Sequence, residues 1–164
     1  MDDELSLVPK PMRHYRAVIL IIQKILDLMT GLRKIREHMP CKETVASVLK
    51  ERREFISCIC LSLFASEHVF RAQQPLPQFL PSARQALETL TSQIEAKTRR
   101  AIDEDVESFK GISLAYSVAE CEVMGDMVDT IEELLELCRQ LFEMSLEEGP
   151  GMPGEGWFST LGRG

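Results

Sequence analysis

The chain has 164 residues, 45% of them apolar, and a formal charge of −7 at neutral pH. That length and composition suit one domain with a real core and leave too little chain for two. The charge is uneven: residues 1–82 carry 12 Lys/Arg against 9 Asp/Glu, and residues 83–164 carry 7 against 17, so the acidic half repels a phosphate backbone and no nucleic-acid partner is expected.

Residues 1–11, "MDDELSLVPKP", show no periodicity and read as a disordered N-terminus. From Met12 to about Met39, apolar residues at Tyr15, Val18, Ile19, Ile22, Ile25, Met29, Leu32 and Ile35 keep the three-and-four spacing of one helical face, until Pro40 ends the pattern. A second helix is predicted from near Cys41 to about Gln74, burying Val45, Val48, Leu49, Phe55, Ile59, Leu63 and Phe70. At the usual rise it would run roughly 50 Å. Within these helices, "AVILIIQKILDLM" and "FISCICLSLFAS" tempt a membrane reading. The first contains Gln23, Lys24 and Asp27, and the second lacks charge only from Phe55 to Ser66, short of the ~20 residues of a span. Both are read as core helices.

Pro75, Pro77 and Pro81 stop the second helix, since proline lacks an amide donor and biases the preceding residue towards extended backbone. "SARQ" then places Ser82 and Gln85 as a capping box for a third helix, with a seam at Ala83, Leu87, Leu90, Ile94, Ala101, Ile102, Val106 and Phe109. Gly111 punctuates. A fourth seam follows at Cys121, Met124, Val128, Ile131, Leu135, Cys138 and Phe142. Residues 148–164 are rich in Gly and Pro and read as a disordered tail. The expected fold is therefore all-α, an antiparallel bundle of about four long helices over residues 12–147, with a Pro-rich loop between helices two and three.

Little in the chain carries chemistry. Gly149, Gly151 and Gly154 match a dinucleotide-loop spacing, but no strand precedes them, and Pro150 and Pro153 remove amides that a phosphate would need. Those two prolines also form a PxxP pattern that is common by chance in such composition. Five cysteines, Cys41, Cys58, Cys60, Cys121 and Cys138, are an odd number scattered through helical pattern, and they read as reduced thiols in a cytosolic setting. Cys58 and Cys60 point to opposite sides of a helix, so they cannot share a metal. His14, His38 and His68 fall in no metal-binding spacing. Neither a metal nor a cofactor is expected, and no catalytic residue can be assigned. The acidic runs at 103–107 and 132–136 alternate with seam residues and form a solvated face. Glu67 and His68 could form a titrating pair that faces the loop, but a solvated helix end is the ordinary reading and is the one taken.

The order of "ERREFISCICLSLFASEHVFRAQ", "PLPQFLPSAR" and the acidic "MVDTIEELLELCRQLF" resembles the C-terminal cytosolic helical region of fungal membrane transporters described as aromatic-acid-exporter-like or brefeldin-A-sensitivity-related. The resemblance covers roughly residues 10–145, and the loop is its most specific part. It implies a cytosolic helical domain at the face of a membrane; the transmembrane helices that such proteins carry upstream lie outside it, so transport activity is not implied. The loop, Pro75, Leu76, Pro77, Phe79, Leu80, Pro81, Ser82 and Arg84, is expected to be structural. Its prolines reduce the entropy lost on ordering, and Leu76, Phe79 and Leu80 should cap one bundle end. Arg84 opposes the helix dipole and should find a carboxylate, for which Glu67 is the candidate.

Three functions compete. The first is a non-enzymatic module acting through the membrane part of a transporter-like protein, through self-association, or on an anionic membrane surface through Arg33, Lys34, Arg36, Lys50, Arg52 and Arg53. An excess of apolar residues such as Leu20, Ile21 and Leu28, opposite Ile22, would then mark an interface. The second is a free-standing bundle binding an apolar or aromatic ligand in a cavity near Phe55, Phe64 and Phe70. An enzyme comes last, since no nucleophile, base and orienting group assemble. A cytoplasmic location, at the cytosolic face of a membrane, is expected.

Overall fold

The computed structural model describes residues 10–38, 46–72, 74–103 and 112–147. Among the described residues four long α-helices form and no strand does: α1 (Lys10–His38), α2 (Leu49–Ala72), α3 (Ala83–Asp103) and α4 (Ile112–Glu147). The all-α, four-helix expectation holds. The tail at 148–164, the seam positions Val45, Val106 and Phe109, and Cys41, Pro40 and Gly111 lie outside the described residues, as do residues 1–9 of the N-terminus.

Helix bounds follow backbone chemistry more closely than the periodicity did. α1 begins at Lys10 rather than Met12, because a proline in the first turn removes an amide that has no intrahelical partner there. Its last turn carries Arg36 and His38, favourable at the negative end of the dipole. α2 spans 24 residues, about 36 Å rather than 50 Å. It stops at Ala72 instead of Gln74 because Gln74 precedes Pro75 and is pushed out of helical conformation. Residues 74–82 carry no helix. α3 then starts where the cap was expected, with the Gln85 amide donating to Ser82 Oγ at 3.2 Å and the Ala86 amide to the Ser82 carbonyl at 3.2 Å.

Two apolar clusters hold the helices together. In the first, Val18, Ile21 and Ile25 of α1 meet Val69 of α2 and Met127, Ile131, Leu134 and Cys138 of α4. In the second, Phe55 and Cys58 of α2 meet Ala83, Leu90 and Ile94 of α3 and Met124 and Val128 of α4, with Val48 from the turn before α2. α1 packs chiefly on α4, and α3 on α2 and α4. Buried hydroxyls are satisfied locally, Ser66 donating to the Ser62 carbonyl at 2.9 Å and Thr130 to the Asp126 carbonyl at 2.6 Å.

The seams of α3 and α4 are those expected at Ala83, Leu90, Ile94, Met124, Val128, Ile131 and Cys138. That of α1 is rotated. Val18, Ile21 and Ile25 are buried, whereas Tyr15, Ile19, Ile22 and Met29, expected inside, are exposed. On α2, Leu49 is likewise exposed. α2 is long and apolar enough to cross a membrane by length and composition alone. In this fold its inner face, with Phe55, Cys58, Ala65 and Val69, forms core.

Candidate functional site

The rotation of α1 leaves its most distinctive surface. Met12, Tyr15, Ile19, Ile22, Leu26 and Met29 lie at alternating spacings of three and four, and each exposes between 45% and 57% of its area. They form one stripe, ~26 Å long at the helical rise. Leu20 is also exposed, on another side of the helix, while Ile21 is core and Leu28 is half-buried against it. Of the three residues expected to mark an apolar excess, Leu20 is thus the exposed one. Beside the stripe, Tyr15 approaches Phe70 with ring centroids 6.4 Å apart, and α2 exposes Ile56, Leu61 and Phe64. The core thus forms without these six side chains of α1, which stay in solvent as one apolar stripe.

The basic residues split into two groups. Arg33, Lys34, Lys50 and Arg53 are exposed, Arg33 pairing with Glu37 at 3.5 Å. Arg52 and Arg36 instead turn inward onto Glu120, which is completely buried. Arg52 grips that carboxylate with both terminal nitrogens, Nη2 reaching Oε2 at 2.6 Å, and Arg36 Nε adds a bond of 2.8 Å to Oε1. Burial alone raises the Glu120 carboxyl, but the hydrogen bonds from Arg52 and Arg36 outweigh it and hold the group below its ordinary value. Arg52 Nε is buried without a hydrogen-bond partner. Reading Arg36 and Arg52 as surface cations is therefore corrected: the cluster ties the end of α1 and the start of α2 to α4.

The proline loop covers the other region. Leu76 and Leu80 are half-buried, and Leu76 packs on the first core cluster, but Phe79 is 92% exposed and caps nothing. Pro75, Pro77, Pro81 and Ser82 are exposed too. Arg84 finds carboxylates, though not the expected one. It forks onto Glu132 of α4, Nε to Oε1 at 2.9 Å, and reaches Asp129 Oδ1 at 2.8 Å, while Glu67 pairs within its own helix with Arg71 at 3.5 Å. Glu67 is one helical turn from Arg71, whereas α4 passes beside the start of α3. His68 meets Gln74 at 3.2 Å and stacks on Phe64.

A cavity of about 780 Å³ lies beneath the loop, lined among others by Leu76, Leu80, Ile131, Leu135 and Arg139. It is not the one expected. Phe55 lies in the core of α2, α3 and α4, Phe70 meets Tyr15 at a tilt of 45°, and Phe64 is 66% exposed, so the three rings do not share a cavity.

Cys58 and Cys138 are buried, Cys60 is exposed and Cys121 lies between, all four as free thiols. Burial pushes the thiols of Cys58, Cys121 and Cys138 upward. Among the described residues, no group of three or more His, Cys, Asp or Glu is placed to hold a metal ion. No family model, curated protein or solved structure matches the chain.

Proposed function

We propose that the protein is a non-enzymatic helical module that works by association, through the uncovered apolar face of α1. The stripe from Met12 to Met29 carries this reading, because six large apolar side chains at seam spacing are left in solvent after the core has formed. The resemblance supports a setting at the cytosolic face of a membrane, with the membrane part of a transporter-like protein among the candidate partners. The exposed Arg33, Lys34, Lys50 and Arg53 suit proximity to an anionic surface.

The test is light scattering on the purified chain, alone and with anionic and neutral vesicles, beside an Ile19→Glu/Ile22→Glu variant. Association that the variant loses supports the module. A monomer that ignores both vesicles defeats it.

The cavity under the proline loop supports a second reading, the free-standing bundle that binds an apolar or aromatic ligand. Leu76, Leu80, Ile131 and Leu135 supply its apolar walls, and Arg139, paired with Glu136 at 2.8 Å, lines it beside Glu132 and Glu143. A thermal shift with an uncharged aromatic compound, abolished by Leu135→Glu, is the result this reading requires.

A further inference from the structure

The association reading leaves the occupant of the stripe open, and the residues of the stripe narrow it. Written in order, the series is Met12, Tyr15, Ile19, Ile22, Leu26, Met29. Its spacings, three, four, three, four, three, are the same from either end, and so are the residue types except that Tyr15 answers to Leu26. Reversed about the point between Leu20 and Ile21, Met12 falls on Met29, Tyr15 on Leu26, and Ile19 on Ile22. A surface that reads alike in both directions suits an isologous contact, in which a two-fold axis brings the same patch of two molecules together.

We propose that the stripe is the site of self-association, α1 of one copy packing antiparallel on α1 of a second copy as a short two-helix seam. The proposal rests on the association reading and specifies its partner.

The charges along the flank agree with this register. On the side of the stripe away from the core, the seam neighbours are Arg16, Gln23 and Thr30, all exposed. In the antiparallel pair Arg16 falls within ~3 Å along the axis of Gln23 of the other copy, and Arg16 lies far along the seam from its own copy, so no like charges are opposed. Asp27, exposed on the same flank, comes within ~3 Å along the axis of Arg16 of the other copy, and symmetry makes the pair twice. Arg13 and Lys24 lie around the helix from the seam, and Arg33, the next position in the series, closes it with a charge. Half-exposed side chains of this size offer on the order of 600 Å² per copy, or about 1,200 Å² for the pair, the lower end of a specific interface.

Sedimentation equilibrium of the full chain tests the proposal. The expected mass is twice the 18.6 kDa of one chain, with Ile22→Glu raising the dissociation constant at least ~100-fold, about 2.7 kcal/mol. Because Ile22 is 45% exposed, the circular dichroism of that variant should stay at the parental value, and so should its melting temperature at concentrations low enough that both chains are monomers. Arg16→Asp and Asp27→Arg should each weaken the dimer about fivefold, as each opposes like charges, and the double variant should restore it. A dimer indifferent to Ile22→Glu, or a double variant no better than the singles, overturns the pairing. So does a monomer at about 100 μM, where even micromolar affinity would populate dimer. If that monomer still binds vesicles through the stripe, self-pairing has failed and the association reading stands; if it binds none, both have failed.

Discussion

Arg52 and Glu120 stand 68 positions apart in the chain and meet as a bidentate, fully enclosed ion pair. Two helices converge on Glu120 through arginine, since Arg36 of α1 reaches it as well. A buried pair of this kind adds less to stability than its geometry suggests, but breaking it strands a charge.

Glu120→Ala is therefore expected to destabilise by ~3–5 kcal/mol in chemical denaturation, the cost of leaving a buried guanidinium uncompensated. Replacing both partners, Arg52→Met with Glu120→Leu, should recover most of the loss. A double variant as unstable as the single would show that the charges themselves hold α2 to α4.

The same carboxyl sets a pH dependence. Its value in the folded chain lies below the ordinary 4.5, so the native state favours the ionised form. Its contribution is fully present above the unfolded value of about 4.5 and is lost as pH falls through the lower folded value. Melts from about pH 6 to about pH 3 should show a steeper fall for the wild type than for Glu120→Gln in the acid part of that range.

The proline loop offers a contrast between neighbours. Leu76 packs on the core while Phe79 is 92% exposed. Phe79→Ala should change stability by less than ~0.5 kcal/mol, and Leu76→Ala should cost distinctly more. Arg84→Ala should lower the melting temperature slightly, and by less than Glu120→Ala, because its ion pairs with Glu132 and Asp129 are open to solvent. Glu67→Ala should not reproduce that effect.

Gly31 and Gly125 sit inside α1 and α4, and a methyl group added at either meets no atom within 4 Å. Gly31→Ala and Gly125→Ala are each expected to stabilise by ~0.5–1 kcal/mol, by removing conformational freedom from the unfolded chain. Denaturation midpoints of the single and double variants check this.

Thiol accessibility separates the cysteines. Among the four described, Cys60 is exposed, while burial raises the thiols of Cys58, Cys121 and Cys138. Iodoacetamide followed by peptide mapping should modify Cys60 first, since the thiolate is the reacting form.

Local chemistry was the legible part of the chain. The Ser82 cap, the stop before Pro75 and the seams of α3 and α4 depend on residues a few positions apart, and the structure has them. α1 resisted because it carries two interleaved apolar series, Val18, Ile21, Ile25, Leu28, Leu32, Ile35 and Met12, Tyr15, Ile19, Ile22, Leu26, Met29, both at helical spacing. Periodicity finds a face but does not choose between two; α4 chooses, by packing on the first. The buried ion pair escaped for a related reason. Arg52 was read by charge, as a surface cation, and Glu120 drew no reading, although each falls in register with a seam: Arg52 with Phe55, Ile59 and Ser62, and Glu120 with Ser117, Met124 and Val128. A charge at a seam position is the signal that would have paired them. Arg84 showed a partial version, its need for an acid being local and the identity of that acid depending on which helix passes by.

The buried residues of the two apolar clusters share α2 and α4 but divide the other helices, those of α1 entering one and those of α3 the other, with Leu32 of α1 packed on the margin of the second. Release of α1 would uncover one cluster while the second stays closed around Leu90, Met124 and Val128. Opening is thus divisible, with amide exchange in α1 free to run ahead of that in the middle of α4, which is guarded from both ends. A partner clasping α1 would slow the faster of these two processes and leave the other at its own rate.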